Sequence, residues 1–178
     1  DKGKLAQYNF RTKKLKFINI PCPHNRINTI AALGTDTLAL GTDNGLILFS
    51  AHDNMFRQID IRTSTQPSNY VEQIYQDRQK DVWVFPRNPG IVRLHLDSNE
   101  KEHLFTPQNE VIKHGRNSRK LIFEDKTGIL WVLPTGGNLS YYDRKEKKLK
   151  PLLTDIDNPK SIFSPLVRFY TLRSEEHT

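Results

Sequence analysis

One landmark recurs along this chain at a spacing few folds use. Gly3-Lys4-Leu5-Ala6-Gln7-Tyr8-Asn9 matches Gly137-Asn138-Leu139-Ser140-Tyr141-Tyr142-Asp143, 134 residues further on, and in both copies a leucine (Leu15, Leu149) follows the tyrosine by seven residues. That offset is close to three periods of about 45 residues, the length of one four-stranded propeller blade. Intermediate copies fill the gap. Gly45-Leu46-Ile47-Leu48-Phe49 and Gly90-Ile91-Val92-Arg93-Leu94 bring the glycine spacings to 42, 45 and 47. Trp83 and Trp131 lie 48 residues apart, and Leu38 is expected at the tryptophan place one copy earlier.

Each copy is punctuated as an antiparallel meander. Lys120-Leu121-Ile122-Phe123 favours a strand, Glu124 to Gly128 a turn, and Ile129-Leu130-Trp131-Val132-Leu133 a second strand. Pro134 to Gly137 turns again, Leu139 to Tyr142 makes a third strand, and Leu149 to Leu153 a fourth. Four strands in about 45 residues leave no room for helices. Leu130 to Leu133 is apolar at every position, which requires cover on both faces. That places Trp83 and Trp131 in the core and makes sugar stacking by them the weaker reading.

The expected fold is all-β, a partial β-propeller of about three full four-stranded blades with partial blades at both ends. Residues 1–20 end one blade, 27–63, 70–106 and 119–154 are blades, and 165–172 is the first strand of the next. Such an open set leaves two blade faces uncovered. The final six residues, Arg173 to Thr178, break off that last strand and read as a translated sequencing-library adapter, a non-native tail set apart from the fold.

The net charge of +7 raises the possibility of phosphate binding. However, the densest clusters, Arg11 to Lys16 and Arg144 to Lys150, fall at one repeat position, a solvated turn, so no nucleic-acid contact is expected. Catalytic patterns are missing as well. His24, His52, His95, His103, His114 and His177 include no His-x-x-x-His pair or metal-ligand cluster, Cys22 with His24 is a single weak pair, and Asp77 and Asp125 occupy the same turn position, so no enzyme activity, metal or cofactor is expected. No apolar run is long enough to cross a membrane.

The run Leu121-Ile122-Phe123-Glu124-Asp125-Lys126-Thr127-Gly128-Ile129-Leu130-Trp131-Val132, followed by Gly137, Leu139 and Tyr142-Asp143, resembles the two-component regulator propeller repeat. Thr154-Asp155-Ile156-Asp157-Asn158-Pro159-Lys160-Ser161-Ile162 is similar to the linker that precedes a new blade in that family. The resemblance spans residues 1–172, although Lys80 and Asp81 stand where a glycine is usual and the copy from Ile27 to Phe49 has no tryptophan. It implies part of the periplasmic sensor region of a hybrid histidine kinase of the Bacteroidetes, anchored through the parent's transmembrane helix, homodimeric, and answering to an oligosaccharide. The alternatives are a scaffold for protein interaction or dimerisation, and a piece of a propeller polysaccharide lyase or glycosidase.

In an up-and-down blade, the loops between blades share one face with the turns between second and third strands. Asn44, Arg87, Asn88 and Asn138 should ring that face, joined by Tyr70, His114 and Arg116. Amides, guanidinium groups and an aromatic ring suit sugar hydroxyls, and the arginines suit acidic sugar substituents.

Overall fold

A computed structural model describes residues 4–21, 26–105, 120–134 and 139–152. Among the described residues there are fourteen strands and no helix. β1 (Lys4–Asn9) and β2 (Lys14–Asn19) form a two-stranded sheet. β3 (Ile27–Leu33), β4 (Thr37–Thr42), β5 (Gly45–Ser50) and β6 (Met55–Ile59) form a four-stranded antiparallel meander. The pattern repeats in β7 (Val71–Gln76) to β10 (Glu100–Leu104), with β8 (Val82–Pro86) and β9 (Ile91–His95) between them. It repeats again in β11 (Leu121–Glu124), β12 (Leu130–Leu133), β13 (Ser140–Asp143) and β14 (Lys148–Pro151).

The hairpin closing each sheet explains why the basic clusters lie where they do. Tyr8 pairs with Leu15, Phe49 with Phe56, Leu94 with Lys101 and Tyr142 with Leu149. Five residues beyond the first member of each pair, the chain takes a left-handed conformation, at Lys13 (φ 57°), Asn54 (55°), Asn99 (57°) and Lys147 (53°). The Asn9 and Asp143 carboxamide and carboxylate oxygens accept the turn amides of Arg11 and Thr12, and of Lys145 and Glu146. Short polar side chains capping their own turn are what a tight hairpin needs.

The sheets pack face on face, with one apolar layer between each consecutive pair. Leu5, Ile18 and Ile20 meet Leu40, Ile47 and Phe49. Leu33, Ala39, Leu46, Leu48 and Ile61 meet Val71, Ile74, Val82, Val84 and Val92. Trp83, Phe85, Ile91 and Leu104 meet Ile122, Leu130, Val132, Tyr142 and Leu149. Every residue of β8 is buried, as the unbroken apolar run requires for a strand covered on both faces. Gly41 lets the first two four-stranded sheets approach, since a Cβ there would lie 2.4 Å from Val71 Cγ1 and 2.5 Å from Thr29 Cγ2.

Strand pairing corrects one expectation. Trp83 lies opposite Tyr75 and Arg93, and Trp131 opposite Phe123 and Tyr141. In the preceding sheet that place belongs to Ala39, opposite Ala31 and Leu48, not to Leu38. The reason is the turn after β4, which is one residue shorter than its counterparts and shifts the count along the chain. Register also identifies Leu33 with Asp77 and Asp125. Both tryptophans hydrogen-bond those aspartates, Trp83 to Asp77 at 3.0 Å and Trp131 to Asp125 at 2.8 Å. The sheet that lacks the indole donor lacks the acceptor too, and fills both places with apolar side chains.

Candidate functional site

The end of the sheets where β4 turns into β5, and β8 into β9, is built from carboxamides and hydroxyls. In the first turn Thr42 Oγ1 donates to the Gly45 carbonyl at 2.8 Å and accepts the Asn44 amide at 3.0 Å. Gly45 has φ +101°, and a Cβ there would stand 2.7 Å from the Ile59 carbonyl oxygen, so the turn requires glycine. Asn44 is exposed; its side-chain oxygen accepts from Asn69 Nδ2 at 3.1 Å, and its carbonyl accepts from Gln58 Nε2 at 3.0 Å.

Asn69 belongs to the segment joining two sheets and ties it down twice more. Its side-chain oxygen accepts the Ile61 amide at 2.9 Å and its carbonyl accepts the Gly45 amide at 2.5 Å. Buried Gln66 holds the bend before it by donating to the Ser68 carbonyl. Tyr70 follows, half-buried, with its hydroxyl donating to Asn28 Oδ1 at 3.3 Å, while Asn28 Nδ2 donates to the Val71 carbonyl at 3.0 Å. These bonds fix the ring against the neighbouring sheet.

Arg87 covers the other face of that ring. Its guanidinium carbon sits 3.9 Å from the Tyr70 centroid, and its amide donates to the Tyr70 carbonyl at 3.1 Å. Stacking uses the π-face of the guanidinium and leaves its in-plane N–H groups directed outward, the geometry in which arginine takes a carboxylate or sulfate two oxygens at a time. Asn88 lies beside it in the same turn. The structure therefore gathers Asn44, Tyr70, Arg87 and Asn88 with Asn28 and Asn69, which the sequence reading had not picked out. His114, Arg116 and Asn138 lie outside the described residues.

The opposite end of the sheets carries charge of a different kind. Asp77, buried, accepts the Trp83 indole, the Asp81 amide at 3.0 Å and Arg144 Nη1 at 3.1 Å. Asp81 accepts from Arg93 Nε at 2.8 Å and pairs with His95 Nδ1 at 2.9 Å, while Arg93 Nη1 donates to the Tyr142 hydroxyl at 3.0 Å. Arg144 also reaches Glu124 at 3.3 Å. Arg144 was expected to be a solvated turn residue; instead it crosses to the neighbouring sheet and joins two turns. Hydrogen bonding to Asp81 raises the His95 pKa above 6.5, and burial raises that of Tyr142 above 10.0. Every arginine in this network has a carboxylate partner. Arg87 has none.

A cleft of about 470 Å³ opens elsewhere, between the outer strands β6 and β10, lined by Arg57, Asp60, His95, Asn99 and Lys101. Lys101 Nζ donates there to the Asp60 and Arg62 carbonyls at 3.0 Å each. Among the described residues no Phe, Tyr or Trp lines it. Among the described residues no group of three His, Cys, Asp or Glu side chains is placed to hold a metal ion, and no helix is long and apolar enough to cross a membrane.

No protein-family model matches the chain, and no curated protein does. Solved structures are similar. The extracellular domain of the hybrid two component system BT4673 from B. thetaiotaomicron aligns with 84% of this chain and 20% of its own at 23% identity, with a TM-score of 0.60. A second structure of the BT4673 extracellular domain gives 0.63 over 85% of the chain. That of BT3049 from the same organism aligns with 77% of this chain and 17% of its own at 25% identity and a TM-score of 0.53. The chain thus spans about a fifth of the length of its structural neighbours. Those neighbours are extracellular domains of signalling systems.

Proposed function

We propose that the chain is a run of propeller blades from the extracytoplasmic sensor region of a hybrid two-component regulator, and that the carboxamide-rich end binds an oligosaccharide. Likeness to two such extracellular domains over most of the chain supports the sensor reading. The observation that carries the ligand reading is Arg87 stacked on Tyr70 at 3.9 Å among Asn28, Asn44, Asn69 and Asn88. Carboxamides both donate and accept, as sugar hydroxyls do, and a fixed tyrosine presents a sugar-sized apolar surface. With no carboxylate partner among the described residues, Arg87 favours a glycan that bears an acidic group.

A sensor of this kind converts binding into a shift between conformations of the intact receptor, by no more than its differential affinity for them. Calorimetric titration of the chain with neutral and uronic-acid oligosaccharides tests the proposal. Binding of an acidic oligosaccharide, lost in Arg87→Ala, is expected. Silence across both classes, or binding indifferent to Arg87→Ala, would overturn it.

A further inference from the structure

The turn that carries Arg87 is held from behind by an imidazole. His103, half-buried on β10, places Nε2 3.0 Å from the Pro89 carbonyl oxygen and Nδ1 3.0 Å from Thr65 Oγ1. A carbonyl only accepts, so Nε2 is the donor there, and Nδ1 shares the second bond with the Thr65 hydroxyl. Gly90 makes the approach possible: its φ is +98°, and a Cβ would stand 2.3 Å from His103 Nε2 and 2.8 Å from the Leu104 carbonyl oxygen.

Half of this arrangement is repeated. Gln58 lies opposite Ile47, two residues past Gly45, as His103 lies opposite Val92, two residues past Gly90. Its Nε2 donates to the carbonyl of Asn44, the residue before that glycine, at 3.0 Å. In both sheets an Nε2–H on the last strand ties down the turn between the second and third. His103 goes further, because its other nitrogen reaches the stretch that joins β6 to β7.

From Thr65 the bonds run on to Arg87. Thr65 Oγ1 lies 3.4 Å from Thr63 Oγ1, which accepts the Gln66 amide at 3.0 Å. Gln66 Nε2 donates to the Ser68 carbonyl at 2.9 Å, Ser68 Oγ accepts the Tyr70 amide at 3.2 Å, and the Tyr70 carbonyl accepts the Arg87 amide at 3.1 Å. Two residues after Arg87, Pro89 leads back to His103. The circuit closes around Tyr70 and Arg87, whose stacking defines the candidate site.

We propose that His103 is a positioning residue for that site, fixing the Arg87 turn against the segment that carries Tyr70. Linked hydrogen bonds polarise and orient one another, so removing one member loosens its neighbours as well. The effect of His103 on binding rests on the oligosaccharide reading above, whereas its effect on the two segments does not.

Two variants separate the donor from the bulk of the side chain. His103→Leu keeps comparable size without an N–H, and His103→Gln supplies the N–H that Gln58 uses at the equivalent place. Amide hydrogen exchange, followed by NMR on the ligand-free chain, reads the segments directly. The Arg87 and Gln66 amides should exchange faster in His103→Leu while those of β8 hold, and His103→Gln should return Arg87 toward the original rate. In calorimetry His103→Leu should bind a uronic-acid oligosaccharide about fivefold more weakly, the net worth of one hydrogen bond, with His103→Gln recovering most of the loss. Unchanged exchange at Arg87 in His103→Leu would overturn the proposal, as would a change shared equally by the β8 amides or a loss of binding that His103→Gln does not recover. A chain that binds no such oligosaccharide would remove the oligosaccharide reading, and the exchange comparison alone would then decide the role of His103.

Discussion

Trp83 donates its indole N–H to Asp77 across 3.0 Å, six residues earlier, and this bond links the core of one sheet to the turn that begins it. The same carboxylate also accepts Arg144 from the neighbouring sheet. One oxygen pair thus holds a turn, a core indole and an inter-sheet arginine. Asp77→Ala would leave both donors without their acceptor in a buried place, at a cost of about 3 kcal/mol. Asp125 has the turn and the indole but, among the described residues, no such arginine, so Asp125→Ala should cost less. Urea unfolding of the two variants checks the order.

Lys80 holds φ 67° at the turn position where Gly128 has φ 87°. A left-handed residue with a side chain costs roughly 1–2 kcal/mol, part of which glycine returns through its greater freedom in the unfolded chain. Lys80→Gly is expected to raise stability by up to about 1 kcal/mol, read as a higher denaturant midpoint at unchanged slope. The reverse change at Gly128 should lower it.

Gly41 has no space for a methyl group, its Cβ site falling within 2.5 Å of Val71 and Thr29 atoms. Both neighbours are strand side chains in packed sheets, so Gly41→Ala should destabilise by about 1–3 kcal/mol through overpacking. Pairing it with Val71→Ala should recover part of the loss, since the added carbon then has somewhere to go. A double-mutant cycle measures the coupling.

The pH dependence of stability has two edges. His95 is held above 6.5 by its hydrogen bond to Asp81, so folding favours its protonated form. That contribution is complete below about pH 6.5 and is lost as pH rises through the native value. Asp125 and Asp143 are lowered from 3.8 to about 2, by bonds from Thr127 and Trp131 and from Lys150 respectively. Their contribution is complete above pH 3.8 and is lost as pH falls toward 2. Stability should be flattest between those edges, and His95→Gln should remove the alkaline one; titration of the His95 ring by NMR checks its midpoint directly.

At the candidate site, charge alone should not suffice. Arg87→Lys keeps a cation but loses the planar fork and its stacking on Tyr70. An acidic oligosaccharide should bind Arg87→Lys about tenfold more weakly than the original chain, which corresponds to about 1.4 kcal/mol. Tyr70→Phe removes only the bond to Asn28 and should weaken binding less than Tyr70→Ala. Calorimetry separates the three.

Much of this architecture is legible in the order of residues. Strand alternation, turn glycines and the seven-residue step from Tyr8 to Leu15 or Tyr142 to Leu149 are local signals, and cross-strand pairing inside a hairpin follows from them. The loop end was legible as residue types, though Asn28 and Asn69 were not, because amides in a strand and a joining segment carry no pattern until another sheet is placed against them. Contacts between sheets join residues 40 to 70 positions apart and obey no period. Hence Arg144 turned from solvent to Asp77, 67 positions away, whereas a one-residue-shorter turn put Ala39 rather than Leu38 in the tryptophan's place and the pairing of β7 with β8 brought Arg87 onto Tyr70. The sequence by itself determined that the chain repeats, where it turns and which strands pair. Only the stacking of one sheet on the next decided which charges are buried, since that depends on what lies across the interface.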